Sequence, residues 1–524
     1  MRQRQQVKKC LPVILSVCLL TGLVIFRASA ILAASAATTT LTNDDFLSVK
    51  NGVLVNKKGT AVTLRGVNLG GWLIQESWMC PVNGADRAWA NLDSIQALQN
   101  RGFTQSQIQT LFTTYQDNWI TTKDLDIIAA TGCNVVRVPF WYRNFMSDAS
   151  GTWIDSNFDS NPGFQKLDWI VTEAGNRGMY VILDMHGCPG GQSMDHCCGT
   201  LAKNELYTNE TYKAAMQKLW VAIAARYKGN PAVAAYDIMN EPNNNSGYSG
   251  SNSYDPWSSS TWELTNAIYR RMVPAIRAVD PDHAITVEGI WRITNLPNPN
   301  TEGWTNMIYQ VHLYDDTSGF TTLAASTAST CISYGTAGYV GEFSNMDGLS
   351  ICNTNGLSWT TWTYKAGKSV GDWAWYQKNA EVADTTSDSY SEILRKWGSG
   401  IRTENGFSAN SSIINKISAA AYIEDTSSYA RYEAENGNVN YGSVVTGNSN
   451  FSGSSFVGNM NTQSVINSVL DISSNWSNIP YVKYTVNVDT AGTYNMKIGY
   501  ATQTSTVYAY VRVNDDSSGN WKAV

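Results

Sequence analysis

Eight short apolar runs between residues 61 and 365 constrain the fold of this chain more than any other feature. Each run is mostly apolar and is followed by polar or aromatic residues, which is typical of strands buried on both faces of a parallel sheet. Segments with helical periodicity separate the runs, for example TTKDLDIIAATG, GFQKLDWIVTEAGNRG and YKAAMQKLWVAIAARYKG. This alternation predicts an α/β fold, a (β/α)8 TIM barrel. The predicted strands are AVTLRGVN, CNVVRVPF, MYVILDMHG, VAAYDIMNEP, AITVEGIW, MIYQVHLY, GYVGEFS and LSWTTWTYK.

Composition limits the number of domains and the class of partner. The 524 residues exceed what one hydrophobic core organises, so we expect a large domain and at least one smaller one. The net charge of -6 comes from only 15% charged residues, without a basic patch after the amino terminus, so we expect no nucleic-acid partner. The 19 Trp and 27 Tyr residues supply flat rings that suit the apolar faces of sugars.

The first 37 residues have the features of a secretory signal peptide. A basic start, MRQRQQVKK, precedes an uncharged run from Cys10 to Phe26 and small residues in ASAILAASAA. The apolar run is short for a membrane span. We therefore expect a secreted, extracellular protein without membrane contact after signal cleavage. Such an environment predicts that some of the cysteines outside the signal form disulfides.

The texture of the sequence changes after Tyr422. From there the chain is rich in Asn, Ser, Gly and Thr, and alternating segments such as YVKYTVNV and TYNMKIGYA replace helical periodicity. This pattern predicts a small all-β sandwich module after the barrel. The predicted domains are a signal peptide (1–37), the (β/α)8 catalytic domain (38–425) and a β-sandwich module (426–524) whose completeness the sequence leaves open.

In a barrel of this kind, catalytic residues lie at the carboxyl ends of the strands. Cleaving a glycosidic bond requires one carboxylic acid to protonate the leaving oxygen and one carboxylate to attack the sugar or activate water. Glu241 at the end of the fourth run and Glu342 at the end of the seventh can supply both groups, and Glu288 is an alternative second acid. The strand ends carry Arg137, His186, Asn240, Glu241, Glu288, His312, Tyr314, Glu342 and Trp362.

The strand motifs resemble glycoside hydrolase family 5, within the retaining clan A of (β/α)8 enzymes. The resemblance covers the barrel strand by strand, in RGVNLGGW, NVVRVPFW, ILDMHG, YDIMNEP, QVHLYD, GEFS and WTYK. It implies that Glu241, in the Asn-Glu-Pro turn, is the acid/base and that Glu342 is the nucleophile. It also implies that Asn240 contacts the substrate 2-hydroxyl. The remaining shared positions of the active site fall on Arg137, His186, His312, Tyr314 and Trp362.

Two further resemblances concern the glycan. RGVNLGGWLIQE and the loop DMHGCPGGQ are similar to segments of the fungal exo-β-1,3-glucanases, which implies that Glu76 holds the terminal glucose. An Asp of the loop does likewise there; the nearest candidate is Asp195, although this loop is out of step by one residue. The tail YEAENG resembles family 6 and family 35 carbohydrate-binding modules, which implies a structural calcium held by Glu433 and Glu435. A solvated acidic face is the alternative for those two residues.

These features predict a secreted, retaining hydrolase that cleaves β-glucosidic linkages in β-glucan, with β-1,3-glucan favoured. We expect a monomer that acts on a polysaccharide or oligosaccharide and needs no cofactor for catalysis. An endo-β-1,4-glucanase or a β-mannanase on the same barrel is the first alternative, and a transglycosylase is another, since a sugar hydroxyl can replace water at a covalent intermediate. The alternative from a different class is a non-catalytic cell-wall carbohydrate-binding protein, against which the presence of both Glu241 and Glu342 argues.

Overall fold

Eight parallel strands close into a barrel, which confirms the predicted TIM barrel. This computed structural model describes residues 40–83, 89–243 and 259–421, and short strand segments between residues 438 and 523. The last barrel strand pairs with the first, with Thr360 opposite Gly66. The barrel strands are β1 (Arg65–Asn68), β2 (Val135–Trp141), β3 (Tyr180–Gly187), β4 (Val233–Asp237), β5 (Ala284–Glu288), β6 (Met307–His312), β7 (Ala337–Glu342) and β8 (Ser358–Thr361).

Helices alternate with the strands and cover the outside of the barrel, so the strands are buried on both faces. They are α1 (Asn91–Asn100), α2 (Gln105–Trp119), α3 (Thr122–Ala130), α4 (Pro162–Gly175), α5 (Glu210–Tyr227), α6 (Ser259–Arg277), α7 (Pro299–Glu302), α8 (Thr317–Tyr334), α9 (Gly348–Thr354), α10 (Tyr390–Lys396) and α11 (Ser411–Ala421). The predicted helical segments correspond to α3, α4 and α5. Their ends carry ordinary caps: the side chain of Asn161 accepts the Gly163 N–H before α4, and Gly335, with φ of +68°, ends α8.

Two small sheets accompany the barrel. Lys365–Ala366, Tyr376–Gln377 and Ser408–Ala409 form one of them, and the antiparallel hairpin of Ser48–Lys50 and Val53–Val55 forms the other. The hairpin lies at the amino end of the barrel, because its residue Leu54 shares a buried apolar cluster with Leu64, which precedes β1, and with residues at the starts of other strands: Val135, Tyr180, Ala234, Ala284, Ile308 and Ala337. Apolar packing closes that end, so the polar strand-end residues gather at the opposite, carboxyl end.

The strands end earlier than the apolar runs do. β4 ends at Asp237, so Glu241 lies in the turn after the strand and not at its end. The backbone explains the difference: the N–H of Asn240 still donates to the carbonyl of Met185 in β3, and Glu241 then leaves the ladder with φ of +39°. Five residues of the run therefore lie beyond the strand; Ile238 and Met239 pack in the apolar core, whereas Asn240 and Glu241 contribute to the polar end of the barrel.

The expected disulfides are absent from the described residues, where every cysteine is free and buried: Cys80, Cys133, Cys188, Cys197, Cys198, Cys331 and Cys352. Most of them lie in the large apolar core, where a thiol packs as a small hydrophobic group. Among the described residues, no helix has both the length and the apolar character that a membrane span requires.

Internal contacts divide the chain into a unit of Leu32–Glu424 and a second unit that includes Asp425–Val524. The described strands of the second unit form antiparallel pairs. The sandwich stays a prediction, and the predicted signal peptide, Glu433 and Glu435 lie outside the described residues. The pairs are Asn438–Asn440 with Tyr481–Lys483, Ser443–Thr446 with Ser455–Gly458, and Arg512–Asn514 with Trp521–Ala523.

Candidate active site

Glu342 is the last residue of β7, and each oxygen of its carboxyl group accepts a hydrogen bond. The residue is 4% exposed. Arg137 donates from Nη1 to Oε1 at 2.7 Å, and the Tyr314 hydroxyl donates to Oε2 at 2.8 Å. Burial, followed by the charge of Glu342, raises the pKa of Tyr314 well above its usual value, so this hydroxyl keeps its proton. Two strong donors thus fix the orientation of the Glu342 carboxyl group.

Arg137 organises the floor of the site. It is fully buried and donates to Asp237 at 2.9 Å, to Asn68 at 3.1 Å and to Asn240 at 2.9 Å, in addition to Glu342. Burial alone would lower the pKa of this guanidinium, but the surrounding carboxyl groups outweigh burial and raise it well above its usual value. Arg137 is therefore a permanent cation directly below the carboxyl group of Glu342.

Two buried aspartates share that cation. Oδ2 of Asp184 lies 3.2 Å from Nη2 of Arg137 and 2.7 Å from Nδ1 of His186. Burial raises the pKa of Asp184 to about 7 and that of Asp237 to about 6, although Arg137 acts in the opposite direction. Both aspartates therefore hold a proton more readily than exposed aspartates do, and Glu342 shares the Arg137 cation with them.

Glu241 lies in a different setting. Its φ of +39° is in the left-handed region, which costs a residue other than glycine about 1–3 kcal/mol. The side chain is 21% exposed, and Oε1 lies 2.9 Å from Nδ1 of His312. Burial lowers the pKa of His312 to about 3, so the imidazole is neutral. Unlike Glu342, Glu241 thus has an open side and a neutral partner for its carboxyl group.

The two glutamates face each other across His312. One carboxyl oxygen of Glu241, one of Glu342 and a ring nitrogen of His312 all lie within 4.8 Å of one another. Such a triangle of two carboxyl groups and an imidazole could also hold a divalent cation. Each of the three groups already has a hydrogen bond inside the site, so the arrangement does not depend on a metal ion.

Glu288, the last residue of β5, lies beneath Glu241. It is fully buried, and its Oε2 accepts the backbone N–H of Glu241 at 2.9 Å. Burial, followed by the charge of Glu241, raises the pKa of Glu288 well above its usual value. Because Glu288 has no exposed surface, its carboxyl group does not reach the open side of the site. The alternative that Glu288 is a second catalytic acid is therefore not supported.

Asn240 is held between Arg137 and His186. Its Oδ1 accepts from Arg137, and its Nδ2 lies 3.3 Å from Nε2 of His186. His186 in turn stacks on Trp362, with ring centroids 5.5 Å apart and planes inclined by 11°. Burial lowers the pKa of His186 to about 4, so this ring is neutral at pH 7. These contacts bring three of the predicted substrate-binding residues, Asn240, His186 and Trp362, beside the carboxyl pair.

Aromatic rings connect Glu342 with Glu76. The ring of Tyr314 packs on Trp373 at 5.2 Å between centroids, and Trp373 packs on Trp78 at 5.6 Å. Nε1 of Trp78 donates to Oε2 of Glu76 at 2.8 Å. Trp78 and Trp373 are partly exposed, which leaves flat apolar surface beside polar groups. The structure therefore joins Glu76 to the carboxyl pair through a continuous aromatic wall.

Asp195 is not part of that wall. Its side chain is exposed, whereas the next residue, His196, is buried with Nε2 at 3.5 Å from Oε2 of Glu76. Asp195 immediately precedes the short helical turn His196–Cys198, and this turn directs the imidazole towards Glu76. The offset of one residue in the loop sequence thus places an imidazole where a carboxylate was expected. The role of Asp195 in substrate binding stays a prediction.

Several residues of the site were not predicted. Polar residues inside buried strand runs were an available signal, since Asp184 and Gln310 each precede a predicted histidine by two positions and so share its face of the strand. Trp373 follows the last barrel strand in a short helical turn, Gly371–Trp373, where no periodic pattern marks it. The unpredicted residues are Asn68, Asp184, Asp237, Gln310, Trp373 and His196.

Known proteins similar to this chain carry the names of glycosidases. The family described as cellulase (glycosyl hydrolase family 5) matches residues 94–379. A beta-xylosidase of Phanerodontia chrysosporium is 27% identical over 272 residues, which cover 51% of this chain and 52% of that protein. The probable glucan 1,3-beta-glucosidase A of Aspergillus niger is 30% identical over 184 residues, 34% of this chain and 41% of that protein. The chain spans about half the length of these curated relatives.

A solved structure is also similar. The crystal structure of rutinosidase from Aspergillus niger aligns with a TM-score of 0.47 and 19% sequence identity, over 59% of this chain and 91% of that chain.

Proposed function

Because this chain belongs to glycosyl hydrolase family 5, the cellulase family, we propose that it cleaves β-glucosidic bonds of β-glucan with retention of configuration. It is a glycoside hydrolase, and enzymes of this family need no cofactor for catalysis. The retaining mechanism, the preference for β-1,3 linkages and the secretion of the protein are the parts that we propose.

The separation of the two glutamates carries the proposal of retention. Retaining glycosidases place their carboxyl groups about 5–5.5 Å apart, whereas inverting enzymes leave room for a water molecule at about 6.5–9.5 Å. One oxygen of Glu241 lies within 4.8 Å of one oxygen of Glu342, which is closer to the retaining than to the inverting separation. A direct attack by one carboxylate on the sugar is therefore the favoured route.

Glu342 is the nucleophile in this mechanism, and Glu241 is the acid/base. A Glu342 oxygen bonds to the anomeric carbon while the glycosidic bond breaks and Glu241 transfers its proton to the leaving oxygen. A water molecule then gives a proton to Glu241, attacks the same carbon and releases the Glu342 carboxylate. The donors Arg137 and Tyr314 support the first role, and the partly exposed side chain of Glu241 supports the second.

A β-1,3-glucan is the proposed substrate. The name of the Aspergillus niger relative, a probable glucan 1,3-beta-glucosidase, supports this linkage, as does the sequence around Glu76. The wall of Trp78, Trp373 and Glu76 offers an apolar ring face and a carboxylate for the terminal sugar. The name of the Phanerodontia chrysosporium relative makes a β-xyloside the second sugar to test.

The test is a product time course on soluble β-1,3-, β-1,6- and β-1,4-glucans and an aryl β-xyloside, with the parent protein beside Glu342→Gln. We expect glucose as the only early product from β-1,3-glucan, released first as the β-anomer in proton NMR spectra, and no activity in the variant. Mixed oligosaccharides from the β-1,4-glucan would replace the proposed linkage with that of an endoglucanase. An α-anomer released first would overturn retention, and a fully active variant would overturn the catalytic assignment.

Residues 426–524 are proposed to be a carbohydrate-binding module with calcium at Glu433 and Glu435, on the basis of the motif YEAENG. We expect the catalytically inactive Glu342→Gln protein to sediment with insoluble β-glucan, less so after chelation of calcium. Secretion is proposed from the signal-like residues 1–37, and amino-terminal sequencing of the exported protein tests it. An intact Met1 on the exported protein would contradict cleavage.

A further inference from the structure

We propose that Glu288 is a positioning residue for Glu241, whose backbone it holds in the left-handed conformation that directs the Glu241 carboxyl group into the site. The inference rests on the proposed acid/base role of Glu241. Glu288 itself touches no substrate, because it is fully buried below the turn.

The backbone of Glu288 is held in place by the barrel and by α6. The residue ends β5, where its register with Gln310 in β6 is part of the barrel ladder. The hydroxyl of Tyr269 in α6 accepts the N–H of Glu288 at 3.1 Å and donates to its carbonyl at 2.9 Å. Glu288, which contacts the turn that contains Glu241, is therefore held by a strand and a helix and not by a loop.

The contact with Glu241 is a specific one. Oε2 of Glu288 accepts the Glu241 N–H at 2.9 Å, at the residue whose φ of +39° is unfavourable for a side chain other than glycine. The N–H of a turn residue that has left the ladder needs another acceptor when it faces the interior. Glu288 provides that acceptor, so the hydrogen bond and the unusual backbone conformation depend on each other.

A neutral Glu288 can serve this purpose without repelling Glu241. The groups that face it are Glu241, Asp237, Gln310, His312 and, further away, Arg137. Burial and the neighbouring carboxyl groups raise the pKa of Glu288 well above its usual value. Oε1 of Glu288 has no hydrogen-bond partner and lies 3.5 Å from Nδ1 of His312, so this oxygen is free to carry the proton.

Glu241 is thus held at two points. Glu288 fixes its backbone from below, and Nδ1 of His312 contacts its carboxyl group at 2.9 Å. The side chain is 21% exposed, so these two contacts leave part of it open to solvent. Loss of the lower support would let the carboxyl group move without removing it, so proton transfer to the leaving oxygen would suffer first.

The test compares aryl β-glucosides that differ in their need for acid catalysis. The 2,4-dinitrophenolate group leaves without being protonated, whereas the phenolate group must receive a proton from the acid. For both substrates kcat/KM reports this first chemical step. We expect Glu288→Leu to lower kcat/KM by roughly 10- to 100-fold on phenyl glucoside and by less than about threefold on the dinitrophenyl compound. Glu288→Gln keeps a neutral side chain with an acceptor oxygen, so it should retain most activity on both.

Equal losses of Glu288→Leu on both glucosides, or a Glu288→Gln variant as impaired as Glu288→Leu on phenyl glucoside, would overturn the inference. Glu241→Ala is the reference, since it must show the strongest dependence on the leaving group. If Glu241→Ala loses both activities alike, the proposed acid/base role fails. If Glu241→Ala shows the dependence and Glu288→Leu does not, only the inference about Glu288 fails. Thermal midpoints of all variants show whether the fold is retained.

Discussion

The surroundings of Glu342 and of Glu241 differ although both belong to the same end of one barrel. Glu342 stands in the β7 ladder opposite His312, its side chain is 5% exposed, and Arg137 and Tyr314 donate to its two oxygens. Glu241 stands outside the ladder in a left-handed turn, with a side chain that is 21% exposed and a neutral imidazole as its contact.

The difference teaches how one site can divide two chemical roles between identical side chains. A cation and a hydroxyl donor favour an anion in a fixed orientation, which suits a nucleophile. A neutral imidazole partner, access from the open side and a Glu288 whose pKa is raised by burial suit a group that must gain and lose a proton. Removing each feature in turn should therefore affect one glutamate and spare the other.

The largest effect is expected from removing the two carboxyl groups and adding azide. Glu342→Ala should lower kcat on 2,4-dinitrophenyl β-glucoside by roughly 10⁴-fold or more, since the covalent route is lost. Azide in the vacated space should restore turnover and give the α-glucosyl azide. Glu241→Ala should form the covalent intermediate on the same substrate, and azide should then give the β-glucosyl azide. Product analysis by NMR distinguishes the two anomers.

The assignment of the glutamates would be reversed if the two variants exchanged their azide products. It would fail altogether if neither variant gave an azide. Unchanged circular dichroism spectra serve as the control for folding in both proteins.

The next effect concerns the cation below Glu342. Arg137→Lys keeps the charge but cannot donate at once to Asn68, Asp237, Asn240 and Glu342, as the guanidinium does. We expect the free energy of unfolding in urea to fall by about 3–5 kcal/mol, because buried partners lose their donors. Activity should fall by roughly 10²-fold or more. Arg65→Lys, at the partly exposed start of β1, is the matched control and should change activity little.

The sequence predicted the parts of this comparison that depend on strand order. The strand-end rule found Glu342, His312, Arg137 and Asn240, and the barrel brought them together. It could not show that Glu241 adopts a positive φ, because nothing in YDIMNEP requires one. Nor could it assign hydrogen-bond partners across the barrel. Contacts such as those of Arg137 with Asp184 and Asp237 depend on register between strands that are distant in sequence.

The sequence predicted least well which loop side chains contribute to the site. His196, in a short helical turn, lies beside Glu76, whereas Asp195 immediately before that turn is exposed. Disulfide formation was expected from the predicted compartment, whereas the fold distributes the cysteines through the core. Local motifs therefore predicted which elements surround the site better than which side chain of a loop enters it.

A smaller effect is expected at the hydroxyl donor of Glu342. Tyr314→Phe removes the hydrogen bond to Oε2 but keeps the ring contact with Trp373. A lost donor to a charged group costs about 1–3 kcal/mol, so kcat/KM should fall roughly 5- to 100-fold. Tyr309→Phe removes a hydroxyl that donates to the carbonyl of Pro297 and should leave kcat/KM unchanged. Equal kcat/KM values for the two variants would contradict a specific role for Tyr314.

The last test concerns the pH dependence of stability and asks whether Arg137 is available to Glu342 because Asp184 is partly neutral. A buried acid whose pKa is raised from near 4 to about 7 stabilises the fold fully below pH 4 and loses that contribution as the pH rises through 7. Asp184→Asn does not titrate. The free energy of unfolding of the variant minus that of the parent should therefore rise by up to about 1.4 kcal/mol per pH unit between pH 4 and 7.

Asp280 provides the opposite case within the same barrel. Its hydrogen bonds with His283 and Tyr236 outweigh burial and hold its pKa below the usual value, so its contribution is present above pH 4 and is lost as the pH falls. Asp280→Asn should therefore be less stable than the parent at neutral pH, and the difference should shrink below about pH 4. Parallel pH profiles for the two variants would mean that Asp184 is ionised and competes with Glu342 for Arg137. Opposite pH profiles would mean that Asp184 is protonated and that the Arg137 charge is available to Glu342. Glu241 has no such cation, and this difference is what assigns the nucleophile to Glu342.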